Sequence, residues 1–219
     1  MLLALIPIAL FCVWPGQRIV SHLARQHALG HIRATDGAIY EGEGGYALKL
    51  DRSQIQHLSA LSDVGSLDLA RASLTDQDLA RLRPLNDLVF LNLSENPISD
   101  IGLESIANCQ KMRCLILQDT SITSHGLEHI SRMTDLENLL LDGTAVDDEG
   151  LTHLRGCTSL RELMLCGTSV TAAAIEDIIA LPSLTTVSVP KEWSVETVAR
   201  LRAENPSLRV VQQRIVLPR

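Results

Sequence analysis

Apolar residues recur along the middle of the chain with a period of 24 residues. The unit that starts at Leu88 reads LVFLNLSENPISDIGLESIANCQK, and the unit that starts at Met112 reads MRCLILQDTSITSHGLEHISRMTD. Further units start at Val64, Leu136 and Leu160, and all five align without insertion or deletion. The shared pattern is L-x-x-L-x-L-x-x-(T/N)-x-(I/V)-(T/S)-D-x-G-L-x-x-(L/I). Such a strict period indicates one structural unit that is stacked several times.

Each unit predicts a short strand followed by a helical segment. The alternation in Leu91-Asn92-Leu93 predicts a strand whose leucines face one side. Leu103, Ile106 and Cys109 follow at helical spacing and are expected to point back to the same core. Since no unit can bury its apolar face alone, the units must stack.

Two polar columns accompany the apolar ones. In the first, side chains are expected to bind backbone groups at the turn that leaves the strand; its members are Asn96, Thr120, Thr144 and Thr168. In the second, side chains are expected to be helix N-caps; its members are Asp76, Asp100, Ser124 and Asp148. Both columns predict that neighbouring units repeat the same local structure in register.

The repeated pattern is incomplete at both ends. Tyr46–Leu50 is a shortened first unit, and the glycines before it predict a loop; they are Gly37, Gly42, Gly44 and Gly45. After Val189 the pattern lapses, and a helix is predicted over Ser194–Asn205, followed by Leu208–Val211. We interpret this end as a cap, because a bare last unit would expose its core and a sheet edge.

The repeated pattern resembles the leucine-rich repeat in its short bacterial form, and it is similar to the cysteine-containing repeats of F-box-type ligase subunits. The resemblance covers about residues 46–211. It implies an α/β fold, a right-handed solenoid forming a horseshoe arc, with a parallel sheet on the concave side and helices on the convex side. The domain division is then a hydrophobic segment over 1–20, a helical and loop linker with an N-terminal cap over 21–45, repeats over 46–189 and a C-terminal cap over 190–219.

The first residues form an apolar segment. Met1–Trp14 carries no charged side chain, but fourteen helical residues span only about 21 Å, less than the ~30 Å hydrocarbon core of a bilayer. Continuation to Val20 would reach further, with Arg18 at the interface. We interpret residues 1–20 as a hydrophobic helix that anchors the chain in a membrane; a cleaved signal peptide and a soluble cap helix are the alternatives.

The flank of this segment predicts its orientation. Residues 1–35 contain three arginines and no acidic residue, and a helix is predicted over Gln17–Leu29. Because the positive flank follows the apolar run, the positive-inside rule favours a cytoplasmic repeat domain, with export to the periplasm as the alternative. From Val64 to Val189 there are 18 acidic and 8 basic residues, which argues against binding to nucleic acid.

The concave face of the sheet is the predicted partner-binding surface. Strand alternation places Ile116, Leu140 and Met164 in one column, a stripe roughly 10 Å long that we expect to be exposed. An exposed apolar patch with a charged rim is typical of a protein interface. The predicted partner-binding residues are Phe90, Asn92, Cys114, Ile116, Asn138, Leu140, Asp142, Glu162 and Met164. Coverage of the stripe by the N-terminal segment, or leucines without a role, is the alternative.

Catalytic and cofactor signatures are absent from the sequence. There is no G-x-S-x-G, H-E-x-x-H, phosphate-binding loop or dinucleotide fingerprint, so we expect no enzyme, no cofactor and no metal site. A zinc site could be formed by His125, His129 and His153. The alternative is that these histidines share a solvated helix face by coincidence. Cys109 and Cys157 are predicted to be two units apart, too far for a disulfide, and unpaired thiols favour a reducing compartment.

These features favour a non-enzymatic, membrane-tethered scaffold that binds a protein partner as a monomeric solenoid. Two alternatives belong to other classes. One is the substrate-recognition subunit of a ubiquitin-ligase-like assembly, which rests on analogy alone. The other is a structural envelope protein whose repeats only separate other parts.

Overall fold

A single sheet runs through the protein. A computed structural model describes residues 38–42, 45–61 and 64–212, with nine strands whose order in space equals their order in the chain. The first two pair antiparallel and all later neighbours pair in parallel. The strands are β1 (Ala38–Gly42), β2 (Gly45–Lys49), β3 (Val64–Asp68), β4 (Phe90–Asn92), β5 (Cys114–Ile116), β6 (Asn138–Leu140), β7 (Glu162–Met164), β8 (Thr186–Ser188) and β9 (Arg209–Val211).

Every connection between successive parallel strands contains a short helical segment. The α-helices are Asp76–Leu79, Asp100–Glu104, Asp148–His153, Ile175–Ile179 and Val195–Glu204, and the 3₁₀ segments are Ile55–Ala60, Ala80–Leu82, Ser124–Ile130, Leu154–Gly156 and Ala172–Ala174. The chain must leave one strand and return beside it within 24 residues, so most of these segments are one or two turns long. A solenoid-like α/β fold with a parallel sheet and helices is therefore confirmed.

A row of leucines forms the centre of the main core. Leu91, Leu115, Leu139 and Leu163 occupy equivalent positions of four adjacent strands and are fully buried. Leu103 and Leu127, from the helical segments, belong to the same continuous cluster. The predicted single row of buried leucines is confirmed, and it shows that all units bury one shared aliphatic interior.

The predicted helix N-caps are wrong by one residue. The caps are Thr75, Ser99, Thr123 and Asp147, while Asp76, Asp100, Ser124 and Asp148 are the first residues of the helical segments. These first residues reach the next unit instead. Asp100 accepts hydrogen bonds from the backbone N–H of Thr123 at 2.8 Å and from its hydroxyl at 2.6 Å. Each carboxylate thus ties its helix to the cap of the following one.

The same bond occurs in three units and is reversed in a fourth. Asp76 binds Ser99, and Asp148 binds Thr171, through a backbone N–H and a hydroxyl each. In the fourth case the hydroxyl belongs to the first residue of the helical segment and the carboxylate belongs to the cap of the next unit. Ser124 Oγ donates to Asp147 Oδ1 at 2.6 Å. The Asp147 N–H donates to Ser124 Oγ at 3.0 Å. The contact between units is thus made with the carboxylate and the hydroxyl exchanged.

The glycine of the repeated pattern gives this bond its space. A Cβ atom on Gly126 would lie 2.3 Å from Asp100 Oδ1, the oxygen that accepts from Thr123 N–H. A Cβ on Gly102 would lie 2.6 Å from Asp76 Oδ1. The glycine thus allows each helical segment to approach the carboxylate of the preceding unit.

The polar column at the strand exit acts as predicted. Thr120 and Thr144 donate their hydroxyls to the carbonyl oxygens of Leu117 and Leu141, at 2.7 and 2.6 Å. Asn96 donates its amide to three carbonyls and accepts from the Leu74 N–H at 2.9 Å. These side chains satisfy backbone groups that would otherwise be buried without partners.

The ends of the sheet differ from each other. Gly42 and Gly45 pair at the end of an antiparallel hairpin, so strand β1 lies where glycines predicted a loop. At the other end Ser194 caps helix Val195–Glu204 by accepting from the Thr197 N–H at 3.1 Å, and β9 follows as predicted. The predicted hydrophobic helix over 1–20 and the helix over Gln17–Leu29 lie outside the described residues.

Candidate functional site

The predicted binding residues lie on the face of the sheet opposite the main core. Phe90, Cys114, Asn138 and Glu162 share one register position, and Asn92, Ile116, Leu140 and Met164 share another two residues later. Side chains two apart on a strand point to the same side, while the intervening leucines enter the main core. We call this side, with the nine predicted residues, the second face. The strand geometry thus brings the residues of both columns together.

An apolar cluster occupies the centre of the second face. Ile116, Leu140 and Met164 pack together, and the half-buried side chains of Phe90 and Cys114 pack against them. The cluster is separate from the main core, so the sheet has apolar groups on both sides. Parallel sheets in α/β proteins are usually covered on both faces, and such a pattern is typical of that arrangement.

The expected exposure of this stripe is wrong. Ile116 is 5% exposed, Leu140 7% and Met164 1%, and Asn92 and Asp142 are buried as well. The alternation of a strand indicates which side a residue faces, but it carries no information about what lies over that side. The role of these residues in partner binding stays a prediction.

The first column of the second face is its most accessible part. Phe90, Cys114 and Asn138 are half-buried, and Glu162 is exposed. Burial raises the pKa of the Cys114 thiol to about 11, with the Glu162 charge adding to the rise. Cys114 is therefore protonated and weakly nucleophilic at neutral pH. The first column could therefore contact a partner, but the Cys114 thiol is not a reactive nucleophile.

Asp142 is the most unusual residue of the second face. Its carboxylate is fully buried and accepts from the Cys166 N–H at 2.7 Å and from Gln118 Nε2 at 2.8 Å. The hydroxyl of Ser188 lies 3.4 Å from Oδ1. Burial raises the pKa of Asp142, and these hydrogen bonds oppose the rise. Among the described residues no cationic side chain forms an ion pair with it, so the buried charge has hydrogen bonds but no counter-charge.

Asn92 has a local structural task. Its Oδ1 accepts from the Ser94 N–H at 3.1 Å and from the Ser94 hydroxyl at 2.8 Å. Asp68, one unit earlier, accepts in the same way from the Ala70 N–H at 3.1 Å. The side chain of Asn92 thus fixes the turn after β4, which sequence reasoning assigned to binding alone.

An ion pair links two neighbouring units just before strands β5 and β6. The guanidinium of Arg113 pairs with Glu137 of the next unit, with Nε donating to Oε1 at 2.8 Å. Exposed Arg161 follows one unit later in the same column. The repeat pattern alone does not reveal this pairing across units.

Gln118 and Ser188 also lie on the second face, although they are not among the predicted site residues. Both are buried and both contact Asp142, from one unit before and two units after it. Ser188 also accepts from the Leu165 N–H at 3.0 Å. Their columns were visible in the aligned repeats, but the convergence on one carboxylate depends on side-chain directions that the repeat does not specify.

The histidine hypothesis has no support from the structure. His153 Nε2 lies 3.8 Å from Glu128 Oε1, and His125 is exposed. In residues 38–42, 45–61 and 64–212, no three His, Cys, Asp or Glu side chains form a group suited to a metal ion. Cys109 and Cys157 are free and buried, and their thiols donate to the carbonyls of Leu85 and Ile130.

The comparisons with known proteins add no identification to this geometry. No protein-family model matches the chain, and no curated protein matches it. Within the part of the chain that the structure describes, no helix combines the length and apolar character that crossing a bilayer requires. What the fold and the face define is a class: an α/β protein of stacked units with a parallel sheet and no assigned chemistry.

Proposed function

We propose that the chain is a leucine-rich-repeat protein, a right-handed solenoid that binds a protein partner through the second face as its concave surface. The observation that carries this proposal is the apolar cluster of Ile116, Leu140 and Met164, which among the described residues is separate from the core that the helical segments join. Main-core leucines already stabilise the stack from the other side. A second apolar cluster, with exposed Glu162 on the same face, therefore favours recognition.

The near-complete burial of this cluster adds a condition. A partner that contacts Ile116 and Leu140 must replace what lies over them, whereas Glu162 and Asn138 are accessible from the start. We therefore propose that recognition begins at the first column and extends to the apolar centre. Phe90 and Cys114 connect the two regions, because they pack against the cluster from the accessible column.

Surface charge reversal tests this proposal without disturbing a core. Glu162→Arg changes an exposed residue of the second face, and Glu104→Arg makes the same change on an exposed helical residue. We expect a partner identified by cross-linking to the wild-type chain to bind at least 10-fold more weakly to the Glu162→Arg variant. The Glu104→Arg variant should bind as the wild type does. Equal binding of both variants would leave a purely structural role for the repeats.

We further propose that residues 1–20 tether the protein to a membrane, with the repeat domain in the cytoplasm. Support comes from the uncharged run Met1–Trp14 and from the arginines that follow it. Fractionation with protease protection tests this location. Release of the chain in a salt wash, or protection of the repeats inside sealed vesicles, would contradict it.

A further inference from the structure

The strand exits, which are the three residues after each strand, use different hydrogen-bond acceptors along the stack. After β3 and β4 the acceptor belongs to the same strand: the Ala70 N–H donates to Asp68 at 3.1 Å, and the Ser94 N–H donates to Asn92 at 3.1 Å. In the next three units the equivalent side chains are apolar and cannot accept; they are Ile116, Leu140 and Met164. A buried N–H at these exits needs another acceptor.

Asp142 supplies that acceptor to the exit of β7. Its Oδ1 accepts from the Cys166 N–H of the next unit at 2.7 Å, and its Oδ2 accepts from Gln118 Nε2 of the preceding unit at 2.8 Å. The hydroxyl of Ser188, on β8, lies 3.4 Å from Oδ1. One side chain thus connects the exits of β5, β6 and β7 with strand β8.

The same side chain brings a carboxyl group to a buried position. The equivalent residues in the units of β3 to β8 are neutral; they are Ala70, Ser94, Gln118, Cys166 and Pro190. Asp142 is 0% exposed and forms no ion pair with a described residue. A charge at such a position is costly, even with hydrogen bonds. Burial accordingly raises the pKa of Asp142, so the closed stack binds its proton more tightly than an opened one.

The groups on the β7 and β8 side of Asp142 do not provide a counter-charge. The Cys166 thiol is neutral, because burial raises its pKa further above the neutral range, and Glu162 on the same face is exposed. After β8, Lys191 and Glu192 lie 3.9 Å apart as an ion pair, and both act electrostatically on Cys166. On this side Asp142 is therefore the group whose charge changes between acidic and neutral pH.

The β5 side contains a partner that suits both protonation states. Exposed Asp119 is the charged residue of this exit, and its N–H donates to the Asp142 carbonyl at 2.9 Å. The Gln118 amide has a donor and an acceptor at its end. It donates to an ionised Asp142 Oδ2 and, with the amide turned over, accepts from a protonated one. Protonated Asp142 therefore keeps its hydrogen bonds and loses only the cost of its charge.

We propose that Asp142 makes the packing of the units along β5–β8 depend on pH: the exits of β5, β6 and β7 open more readily once its carboxyl is ionised. The stabilisation is complete below about 3.9, the ordinary pKa of Asp, and is lost as the pH rises through the higher pKa in the fold. Between these two values, release of one proton on opening weakens closure by up to about 10-fold for each pH unit. The inference does not depend on the proposed partner binding.

Hydrogen exchange of the native chain tests the proposal. The backbone N–H groups of Asp119, Gly143 and Cys166 report on the exits of β5, β6 and β7. Those of Arg71 and Glu95 make the equivalent bonds between earlier units, at 3.0 and 2.8 Å, and are internal controls. We expect the protection of the three reporters, corrected for the intrinsic exchange rate, to fall by roughly 10-fold relative to the controls between about pH 4 and pH 7.

Asp142→Asn removes the titrating group and keeps a side-chain oxygen for the Cys166 N–H. In this variant the reporters should follow the controls at every pH. The matched variant Asp68→Asn alters a carboxylate of the same face and should leave the response of the reporters as in the wild type.

Three results would overturn the inference. They are reporters that follow the controls in the wild type, reporters whose protection rises relative to the controls as the pH rises, and a response that persists in Asp142→Asn. The wild-type measurement needs no variant, so it decides the question even where Asp142→Asn does not fold. Each of these results would leave the partner-binding test at Glu162 unaffected.

Discussion

The two faces of the sheet are built from neighbouring residues but are covered in different ways. Leu139 and Leu140 are adjacent on β6 and both are buried, at 0% and 7% exposure. Leu139 packs in a core whose other side consists of helical segments from the same and adjacent units. Among the described residues, Leu140 belongs to a cluster with Ile116 and Met164 that has no helical member. Burial alone therefore does not distinguish a structural core from a surface that can exchange its cover.

The difference between the faces is one of connectivity. The layer over the main core is covalently continuous with each strand and is tied from unit to unit by bonds such as Asp100 to Thr123. That layer cannot leave without unfolding. Among the described residues, the cluster of Ile116, Leu140 and Met164 is recorded as separate from that core. We conclude that the main core determines the fold.

The largest expected effect separates adjacent leucines. Leu139→Ala should lower the free energy of unfolding by about 2–5 kcal/mol, because it leaves a cavity in a fully buried core. Leu140→Ala should cost about 1–2 kcal/mol, because its cluster is small. Urea unfolding followed by circular dichroism measures both. Equal losses would mean that the second face is a permanent core like the first.

A double-mutant cycle tests the bonds that hold the helical layer. Ser124→Asp alone places two carboxylates in contact and should cost about 1–2 kcal/mol, and Asp147→Ser alone should cost about 1 kcal/mol. The double variant restores the arrangement of Asp100 and Thr123, so its unfolding free energy should be within about 0.5 kcal/mol of the wild type. If the losses of the two single variants add up in the double variant, Ser124 and Asp147 do not interact as described.

The smallest expected effect concerns the buried carboxylate of the second face. Because burial raises the pKa of Asp142, the folded state binds its proton more tightly than the unfolded state. Stability should therefore fall as pH rises from the unfolded value near 3.9, taken as about the reference for Asp, through the raised folded pKa. Asp142→Asn removes this loss. Its stability relative to the wild type should therefore improve as the pH rises.

Denaturant unfolding between acidic and neutral pH measures that difference. Asp68→Asn, which alters a half-buried carboxylate of the same face, is measured beside it as the control. A relative stability of Asp142→Asn that declines as pH rises would show that Asp142 is ionised and stabilising in the fold. It would then require a counter-charge that the described residues do not contain.

Much of this fold could be predicted from the sequence, since a strict period fixes which residues share a column. The row of Leu91, Leu115, Leu139 and Leu163 followed from alternation and repetition alone. The helix caps were misplaced by one residue, because the pattern (T/S)-D does not show which of two polar residues turns toward the next unit. Strand β1 was missed, since a glycine-rich stretch permits a tight hairpin as readily as a loop.

The candidate site was less predictable than the fold. Its residues were assigned to the correct side of the sheet, but their burial was not foreseen. A period of 24 residues describes contacts between equivalent positions and contains nothing about a segment outside the repeats. The contacts of Asp142 were missed for a related reason: Ser188 lies 46 residues away in sequence, two units further along the stack.

The methionine methyl groups offer the most direct test of the contrast between the faces. Met112 and Met133 lie in the main core and Met164 on the second face, all at most 1% exposed. With ¹³C-labelled methionine methyls and a soluble paramagnetic probe, all three should relax slowly in the wild-type chain. In urea below the midpoint of unfolding, Met164 should relax several-fold faster than Met112 and Met133, because its cluster is small and separate from the main core. Met164 staying as protected as Met112 and Met133 under those conditions would contradict the account, since the second face would then be a core in its own right.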